Sequence, residues 1–240
     1  MNTAAPTAST LRTAIKVARY HLLDRVAYLV APGAGLVFAF TVDVIVVGLL
    51  PSSDQGDHSV GGLAAVCVVA FVIGLQSITK GLSFGLALGL SRRSYYLGTA
   101  LLAVTYAAVT GVILTVLRAV EGATGGWGLS MRMFRLPYIL DGAWYEAWLT
   151  SFVVLTLLYV YGCWWGLVYR RWSLIGLIAF SAGQVTVLLA GALATTWSHS
   201  WSDVGHFFTT LSAIGLTGVL AAVAVALMAG GFTTLRRVTI

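Results

Sequence analysis

The stretch that decides the fold is residues 147–196, AWLTSFVVLTLLYVYGCWWGLVYRRWSLIGLIAFSAGQVTVLLAGALATT. It consists of two apolar runs on either side of one basic pair, Arg170 and Arg171. A helix needs about 20 consecutive apolar residues to cross the hydrocarbon core of a bilayer, and each run is long enough. The stretch therefore predicts two antiparallel membrane-spanning helices joined by a tight turn at Tyr169–Trp172.

The whole chain has the composition of a membrane protein. Of its 240 residues, 59% are hydrophobic and 9% are charged, and the mean hydropathy is +0.91. Soluble domains contain about 45–50% apolar and about 25% charged residues. So few charges could not cover the surface of a protein in water, which excludes a soluble enzyme. The predicted fold class is an all-α integral membrane protein.

Further apolar runs predict six transmembrane helices in all. A polar and aromatic segment from Thr196 to Asp203 separates the last two. The predicted domains are a cytoplasmic N-terminus at 1–25, a transmembrane domain at 26–231 and a short cytoplasmic tail at 232–240. The predicted spans are 26–50, 60–80, 97–118, 147–169, 172–196 and 206–231.

The lysines and arginines predict that both termini lie in the cytoplasm. In that orientation eleven basic residues are on the inner side, and only Arg118, Arg132 and Arg135 are on the outer side. This asymmetry satisfies the positive-inside rule. The net charge of +6 then reflects helix ends at an anionic membrane surface, so no nucleic-acid partner is expected.

The N-terminal segment TLRTAIKVARYHLLDR, residues 10–25, predicts an amphipathic elbow helix on the inner membrane surface. Arg12, Lys16 and Arg19 share one helical face, and apolar side chains share another. The alternative is a basic flank that only fixes topology. No short apolar core with a cleavage site precedes it, so no cleaved signal peptide is expected.

The sequence gives little support for catalysis or metal binding. It contains no G-x-x-x-x-G-K-[S/T] phosphate loop, no H-E-x-x-H and no C-x-x-C pair. His58, His199 and His206 have no metal-ligand spacing. Cys67 and Cys163 both lie inside apolar runs, which favours buried thiols over a disulfide. We therefore expect this chain not to be an enzyme and to bind no metal.

Three polar residues within the predicted spans are candidates for lining a transport path: Asp43, Gln76 and Gln184. A carboxylate at the depth of Asp43 costs a few kcal/mol unless it is paired, protonated or in contact with water. Asp43 therefore belongs either to a polar path or helix–helix hydrogen bond, or to the outer interface. Glutamines in spans are more often structural hydrogen-bond partners.

Two connecting segments carry further information. In residues 79–99, which contain the coupling-like segment at about 82–97, Gly81, Gly85 and Gly89 recur every four residues, and Arg92, Arg93, Tyr95 and Tyr96 follow. This mixed basic and aromatic surface suits a protein contact; the alternative is a tight inner loop that only fixes topology. The outer loop at about 119–146 is apolar enough to cap a cavity as a lid, or to anchor at the interface through its tryptophans.

The order of these elements resembles the membrane subunit of a bacterial ABC exporter of the ABC-2 kind, also called type V. The features that carry the resemblance are a basic elbow, two spans, the segment FGLALGLSRRSYYLGT at 84–99, four more spans and an L-R-R tail. The resemblance implies a multi-pass protein of the bacterial cytoplasmic membrane, in which the segment between spans two and three is a coupling helix. The matching positions are Leu86, Ala87, Leu90, Ser91, Arg92, Arg93, Tyr95 and Tyr96.

The resemblance also implies partners. A separate ABC ATP-binding subunit would hold ATP and Mg, and this chain would bind no cofactor. A second copy of the chain, or a similar permease, would complete a two-plus-two complex with the substrate path between the copies. The chain departs from the family in having its largest outer loop between spans three and four, and only a brief segment at 196–205 before the last span.

Two other function classes fit the composition. One is a non-catalytic membrane scaffold or assembly protein, which would have no reason to bind an ATPase. The other is an intramembrane enzyme, which would need several polar residues at one depth. The substrate of an exporter stays open at this stage: a drug, a peptide, a lipid or a natural product would each suit an apolar path.

Overall fold

The computed structural model describes residues 30–49, 58–59, 61–87, 89–135, 140 and 142–237. The predicted elbow helix at 10–25 lies outside the described residues. The elements are α1 (Ala31–Leu49), β1 (His58–Ser59), α2 (Leu63–Gln76), a π turn (Ser77–Gly81), α3 (Leu82–Ala87), α4 (Arg92–Ala123), a wide turn (Gly126–Ser130), β2 (Met131–Arg132), α5 (Trp144–Trp197), α6 (Trp201–Thr210) and α7 (Ala213–Arg237).

Five of these helical stretches are long and apolar enough to cross a membrane. They are α1, the stretch from α2 through α3, α4, α5, and Ala213–Thr234 of α7. The described chain is thus a helical protein built like a multi-pass membrane protein, as its composition predicted. The short strands β1 and β2 pair in parallel at the predicted outer end, where His58 lies opposite Met131.

The helix α5 contains the predicted hairpin. At 1.5 Å per residue, its 54 residues would extend about 80 Å as a straight rod, more than twice the thickness of a bilayer core. Ser173 interrupts it with φ 53° and ψ −147°, backbone angles that residues other than glycine rarely adopt. We call the parts on either side α5a (144–172) and α5b (174–197).

The two parts of α5 run antiparallel, as the sequence predicted. The Tyr161 hydroxyl donates a hydrogen bond to Gln184 at 2.7 Å, and the rings of Trp165 and Phe180 lie 5.5 Å apart. Both pairs are placed symmetrically about the break at Ser173, which only a chain folded back on itself can produce. The break follows the basic pair by two residues.

The predicted start of the last span is wrong. Residues 206–210, which were assigned to that span, belong to α6, and α7 begins at Ala213. Leu211 is extended, and the Ser212 hydroxyl accepts a hydrogen bond from the Gly215 N–H at 3.1 Å, as an N-cap does. The segment before the last apolar helix, predicted to be brief, therefore contains a short helix.

The closest packing in the bundle is between α2 and α5a. A Cβ at Gly74 would lie 2.0 Å from the Tyr159 carbonyl oxygen, and one at Gly162 would lie 2.1 Å from that of Phe71. Gly166 packs against Ile78 in the same way. Small residues let helix backbones approach closely in membranes, where lipid supplies no hydrophobic force between helices. These glycines allow direct backbone contact.

A hydrogen-bond chain joins three helices just below this contact. The Ser77 hydroxyl lies 2.7 Å from the Tyr159 hydroxyl, and the Ser77 carbonyl accepts a hydrogen bond from the Tyr95 hydroxyl. All three residues are buried. Ser77 begins the π turn, and such turns are rare in helices and frequent at functional sites.

The backbone contact generates the first prediction. Gly162→Ala places a methyl group against the Phe71 carbonyl, and overpacking of this kind costs about 1–3 kcal/mol. We expect the free energy of unfolding to fall by that amount, with the melting temperature in detergent several degrees lower.

The matched control for this prediction is Gly183→Ala. A Cβ at Gly183 meets nothing within 4 Å, and alanine favours the helix by up to about 1 kcal/mol. The control should leave the melting temperature unchanged or raise it. Equal melting temperatures for the two variants would contradict the close approach of α2 and α5a.

Candidate functional site

The candidate site is the turn between α3 and α4, called here the inner turn (residues 82–97). Its first part is a helix stop. The Gly89 N–H donates to the Leu86 carbonyl at 3.0 Å, and the Leu90 N–H donates to the Gly85 carbonyl at 3.1 Å. This pair of bonds is a Schellman motif, which requires a left-handed residue, and Gly89 has φ +78°.

The second part of the inner turn is a helix start. Ser91 is extended, with φ −70° and ψ 146°, and its hydroxyl accepts a hydrogen bond from the Ser94 N–H at 3.1 Å. A serine in this position is a favourable N-cap, because it satisfies a backbone donor that has no partner in the helix. With a stop at Gly89 and a start at Ser91, the inner turn has a defined shape.

The residues predicted to contact an ATPase fall into three groups in the structure. Ala87, Ser91 and Arg93 are exposed, and Leu86, Leu90 and Arg92 are partly buried. Phe84, which the prediction did not include, is 50% exposed. Tyr95 and Tyr96 are 0% and 9% exposed, so they pack inside this chain instead of presenting their rings to a partner. The prediction placed these two tyrosines at a partner surface, whereas packing within the bundle buries them.

Tyr95 and Tyr96 anchor the first turn of α4 to two different neighbours. The Tyr95 ring covers Gly85, where a Cβ would lie 2.7 Å from it, and its hydroxyl bonds to Ser77. The Tyr96 hydroxyl donates to the Met228 carbonyl of α7, and its ring lies 5.7 Å from that of Phe232. The inner turn is therefore held by the π turn through Tyr95 and by α7 through Tyr96.

The predicted glycine face is only partly present. Gly85 allows the close approach of the Tyr95 ring, whereas Gly89 lies past the end of α3 and serves as its stop. The same segment, GLSFG at Gly81–Gly85, also has the G-x-S-x-G spacing of a nucleophile elbow. Ser83 lies inside a helix and not at a strand-to-helix turn, so the elbow geometry is missing.

The basic pair in the last turn of α5a has a structural role that its sequence pattern did not show. The Arg170 guanidinium donates to the Thr79 carbonyl at 3.1 Å and to the Ser83 hydroxyl, so it ties α5a to the π turn and α3. Arg171 is exposed, and its guanidinium lies 4.7 Å from the centre of the Trp172 ring. Arg170 therefore fixes α5a to its neighbours and Arg171 does not. The sequence had suggested only that both arginines set the topology.

The structure does not bring the three polar span residues together. Asp43 is 8% exposed and accepts a hydrogen bond from the Gly62 N–H at 3.0 Å, which places its charge at the N-terminus of α2. A negative charge is favourable there because of the helix dipole. Gln184 accepts from Tyr161, and Gln76 lies partly buried at the far end of the 14-residue α2, about 20 Å from Gly62. These residues lie at different depths and form no single polar site.

The outer loop is organised by one buried carboxylate, that of Glu121. This side chain is 1% exposed and accepts hydrogen bonds from the N–H groups of Met133 (3.0 Å), Phe134 (2.9 Å) and Arg135 (3.1 Å). Bonds to a charged group contribute about 1.5–3 kcal/mol each. Met133 and Phe134 are buried as well, so this part of the outer loop is packed in a fixed position at the predicted outer end.

Arg118, one turn earlier on α4, holds the other end of the loop. Its guanidinium donates to the Gly142 carbonyl at 2.6 Å. The sequence placed Arg118 on the outer side and predicted a role in the loop for neither Arg118 nor Glu121. A charged pair in a chain with so few charges is the signal that could have identified them as loop anchors.

The part of the chain that the structure describes shows no cluster of metal ligands. No three His, Cys, Asp or Glu side chains there are grouped so that they could hold a metal ion. Cys67 and Cys163 are free, and the Cys163 thiol donates to the Gly74 carbonyl at 3.4 Å. Both thiols are therefore unpaired, as predicted, and Cys163 is buried, whereas Cys67 is only partly buried.

Comparisons of the chain with protein-family models, with curated proteins and with solved structures find no match. The function must therefore be argued from the geometry described above and from the sequence pattern.

The Glu121 cluster generates the second prediction. Glu121→Gln removes the charge and turns one acceptor into a donor that faces backbone N–H groups, so the loop should open more easily. We expect trypsin, added from the outer side, to cleave at Arg132 and Arg135 at least about tenfold faster, since about 1.4 kcal/mol is tenfold in an opening equilibrium.

The control for the loop prediction is Asp203→Asn. It makes the same chemical change at an exposed residue of α6, which lies at the same predicted side of the membrane. This variant should be cleaved at the wild-type rate. Unchanged cleavage of the Glu121→Gln protein would show that the carboxylate does not hold the loop.

Proposed function

We propose that this chain is the membrane-spanning permease subunit of an ATP-driven ABC exporter of the ABC-2 kind. It spans the bacterial cytoplasmic membrane six times with both termini inside, and it couples to a separate ATP-binding subunit through the inner turn. Two copies, or one copy and a similar permease, form the path between them. The chain itself performs no nucleotide chemistry.

The observation that carries the proposal is the construction of the inner turn. It combines a short helix, a glycine stop and a serine cap with exposed Ala87 and Arg93 and a half-exposed Phe84. A rigid turn with apolar and basic groups at its surface suits docking to another protein. A loop that served topology alone would need the charges but not the caps.

The anchoring of the inner turn supports a mechanical role. Tyr95 links it to Ser77 and through Ser77 to Tyr159, and Tyr96 links it to Met228. A partner that pushes on the turn would therefore move α2, α5a and α7 together, because packed helices shift as rigid bodies and do not deform continuously. ATP binding to the partner subunits would change how the two membrane bundles meet.

Six crossings follow from five apolar helical stretches when α5 is counted as two. The break at Ser173 and the antiparallel contacts of α5a with α5b support this count. With the positive-inside rule, the inner turn and the α5 break lie on the cytoplasmic side, and the Glu121 cluster lies outside. The short helix α6 then lies at the outer surface before the last span, where members of the family often carry a short helical hairpin.

The third prediction tests the partner. Purified gently from its native membrane, the chain should bring down a soluble ATP-hydrolysing subunit in a one-to-one ratio. Arg93→Glu should weaken this capture about tenfold or more, since an unpaired or like charge at an interface costs several kcal/mol. The measurement is the amount of ATPase subunit recovered per chain.

Arg171→Glu is the matched control for capture, because both residues are exposed arginines at the predicted inner side. Arg170 is unsuitable, since its replacement would also remove the bonds to Thr79 and Ser83. Equal loss of capture in both variants would contradict docking at the inner turn. Recovery of the wild-type chain without any ATPase would favour the scaffold alternative.

The fourth prediction concerns transmission from the inner turn to α7. Tyr96→Phe removes the donor to the Met228 carbonyl while keeping the ring in place. Since a net hydrogen bond contributes about 0.5–1.5 kcal/mol, amide hydrogen exchange in α7 around Met228 should become about twofold to tenfold faster. Capture of the ATPase should stay at the wild-type level, because the residue is buried.

The control for transmission is Tyr106→Phe on the same helix. The Tyr106 hydroxyl is buried and has no hydrogen-bond partner in the described part of the chain, so its removal should leave exchange in α7 unchanged. If both variants, or neither, accelerate exchange in α7, then Tyr96 does not link the inner turn to that helix.

A further inference from the structure

A cleft opens between α5a and α5b next to the break at Ser173. Its volume is about 320 Å³, near the lower limit of small-molecule pockets, which is about 300 Å³. The indole of Trp172 carries the only polar side-chain atom in its walls. The lining residues are Val168, Trp172, Ile175, Gly176, Ala179 and Phe180.

The cleft lies beside the break. Ser173 reverses the chain with a positive φ of 53°, and the rings of Trp165 and Phe180 lie 5.5 Å apart farther along the two helices. Gly176 lies against Trp172, where a Cβ would be 2.3 Å from the Trp172 Cβ. Between Ile175 and Phe180 the cleft follows the helix axis for about 8 Å, toward the middle of the bilayer.

A positively charged side chain, that of Arg171, lies at the entrance of the cleft. The guanidinium of Arg171 lies 4.7 Å from the centre of the ring of Trp172, a wall residue. Within the described residues Arg171 contacts no carboxylate and donates no hydrogen bond, whereas Arg170 is engaged with Thr79 and Ser83. Arg171 therefore has its donors available for an external anion.

The distribution of acids strengthens this argument. The carboxylates within the described residues are those of Asp43, Glu121, Glu146 and Asp203, and all four belong to the predicted outer half of the bundle. Lys80, Arg92, Arg93, Arg170 and Arg171 lie at the opposite end. The described part of the chain thus offers Arg171 no anion of its own.

We propose that the cleft holds one acyl chain of an anionic phospholipid whose phosphate lies on Arg171. Basic groups between transmembrane helices on the cytoplasmic side are suited to anionic head groups. A tryptophan at the interface is the usual neighbour of a head group, and Trp172 fills that place. The proposal requires only that the protein is embedded in a membrane, and it does not depend on the transport function.

The test uses the full chain in nanodiscs of phosphatidylcholine that contain a minority of photoactivatable phosphatidylglycerol. After illumination, cross-linked peptides are identified by mass spectrometry. We expect the label on residues of the cleft, with at least about fivefold less label when photoactivatable phosphatidylcholine replaces phosphatidylglycerol. Soluble glycerol phosphate should not compete, since it has no chain to occupy the cleft.

Three variants separate recognition of the head group from binding of the acyl chain. Arg171→Glu should reduce labelling of the cleft by phosphatidylglycerol at least about fivefold, and Arg171→Lys should retain most of it. Ala179→Trp should fill the cleft and block labelling with either lipid. The controls are Arg93→Glu, an exposed arginine of the inner turn, and Ala190→Trp, an exposed position of α5b outside the cleft.

Equal labelling by both lipids would mean that only annular lipid occupies the cleft, and the proposal would fail. It would fail equally if Arg171→Glu and Arg93→Glu had the same effect, or if glycerol phosphate displaced the label. Melting temperatures of all variants are measured in the same nanodiscs. If Arg171→Glu unfolds the chain, the comparison of Ala179→Trp with Ala190→Trp decides the outcome.

Discussion

The structure depends on the direct backbone contact between α2 and α5a. Gly74 and Gly162 lie against the carbonyl groups of Tyr159 and Phe71, so the two helices touch without intervening side chains. Lipid provides no hydrophobic force that would press helices together, and such contacts must come from van der Waals packing and hydrogen bonds. The Ser77–Tyr159 bond lies one turn below Gly74 because this contact fixes the two helices in register.

The position of the inner turn depends on that register. Tyr95 reaches the Ser77 carbonyl at the start of the π turn, and Tyr96 reaches α7 on the other side. Neighbouring residues on a helix point about 100° apart, so two adjacent tyrosines can bind two different helices. The surface of the turn can therefore be exposed while its base is locked, which is what a docking element requires.

The few charges of this chain have structural as well as topological functions. Glu121 gathers three backbone N–H groups, Arg118 holds Gly142, Asp43 caps α2, and Arg170 binds the π turn. A charge in or near lipid is costly unless it is paired. Each of these four residues is paired with backbone groups. Arg171 has no such partner among the described residues and is available to the membrane. The proposed lipid site follows from this difference.

The sequence by itself determined the class of the protein and the positions of most helices. Residues 147–196 could only form a hairpin of apolar helices, because runs of that length without charges are stable in lipid and the basic pair cannot enter it. Gly89, which the sequence pattern assigned to a glycine face, and Ser91 act through local backbone preferences. The caps of the inner turn therefore need no distant partner.

Only the tertiary structure decided what the polar residues bind. The sequence grouped Asp43, Gln76 and Gln184 by hydropathy, yet they lie at different depths, because depth depends on how far each helix is shifted along its neighbours. It placed Tyr95 and Tyr96 on a partner surface, yet they are buried, because the π turn and α7 both pack against the first turn of α4. Contacts between residues far apart in the chain are set by helix packing, and neither hydropathy nor local spacing predicts that packing.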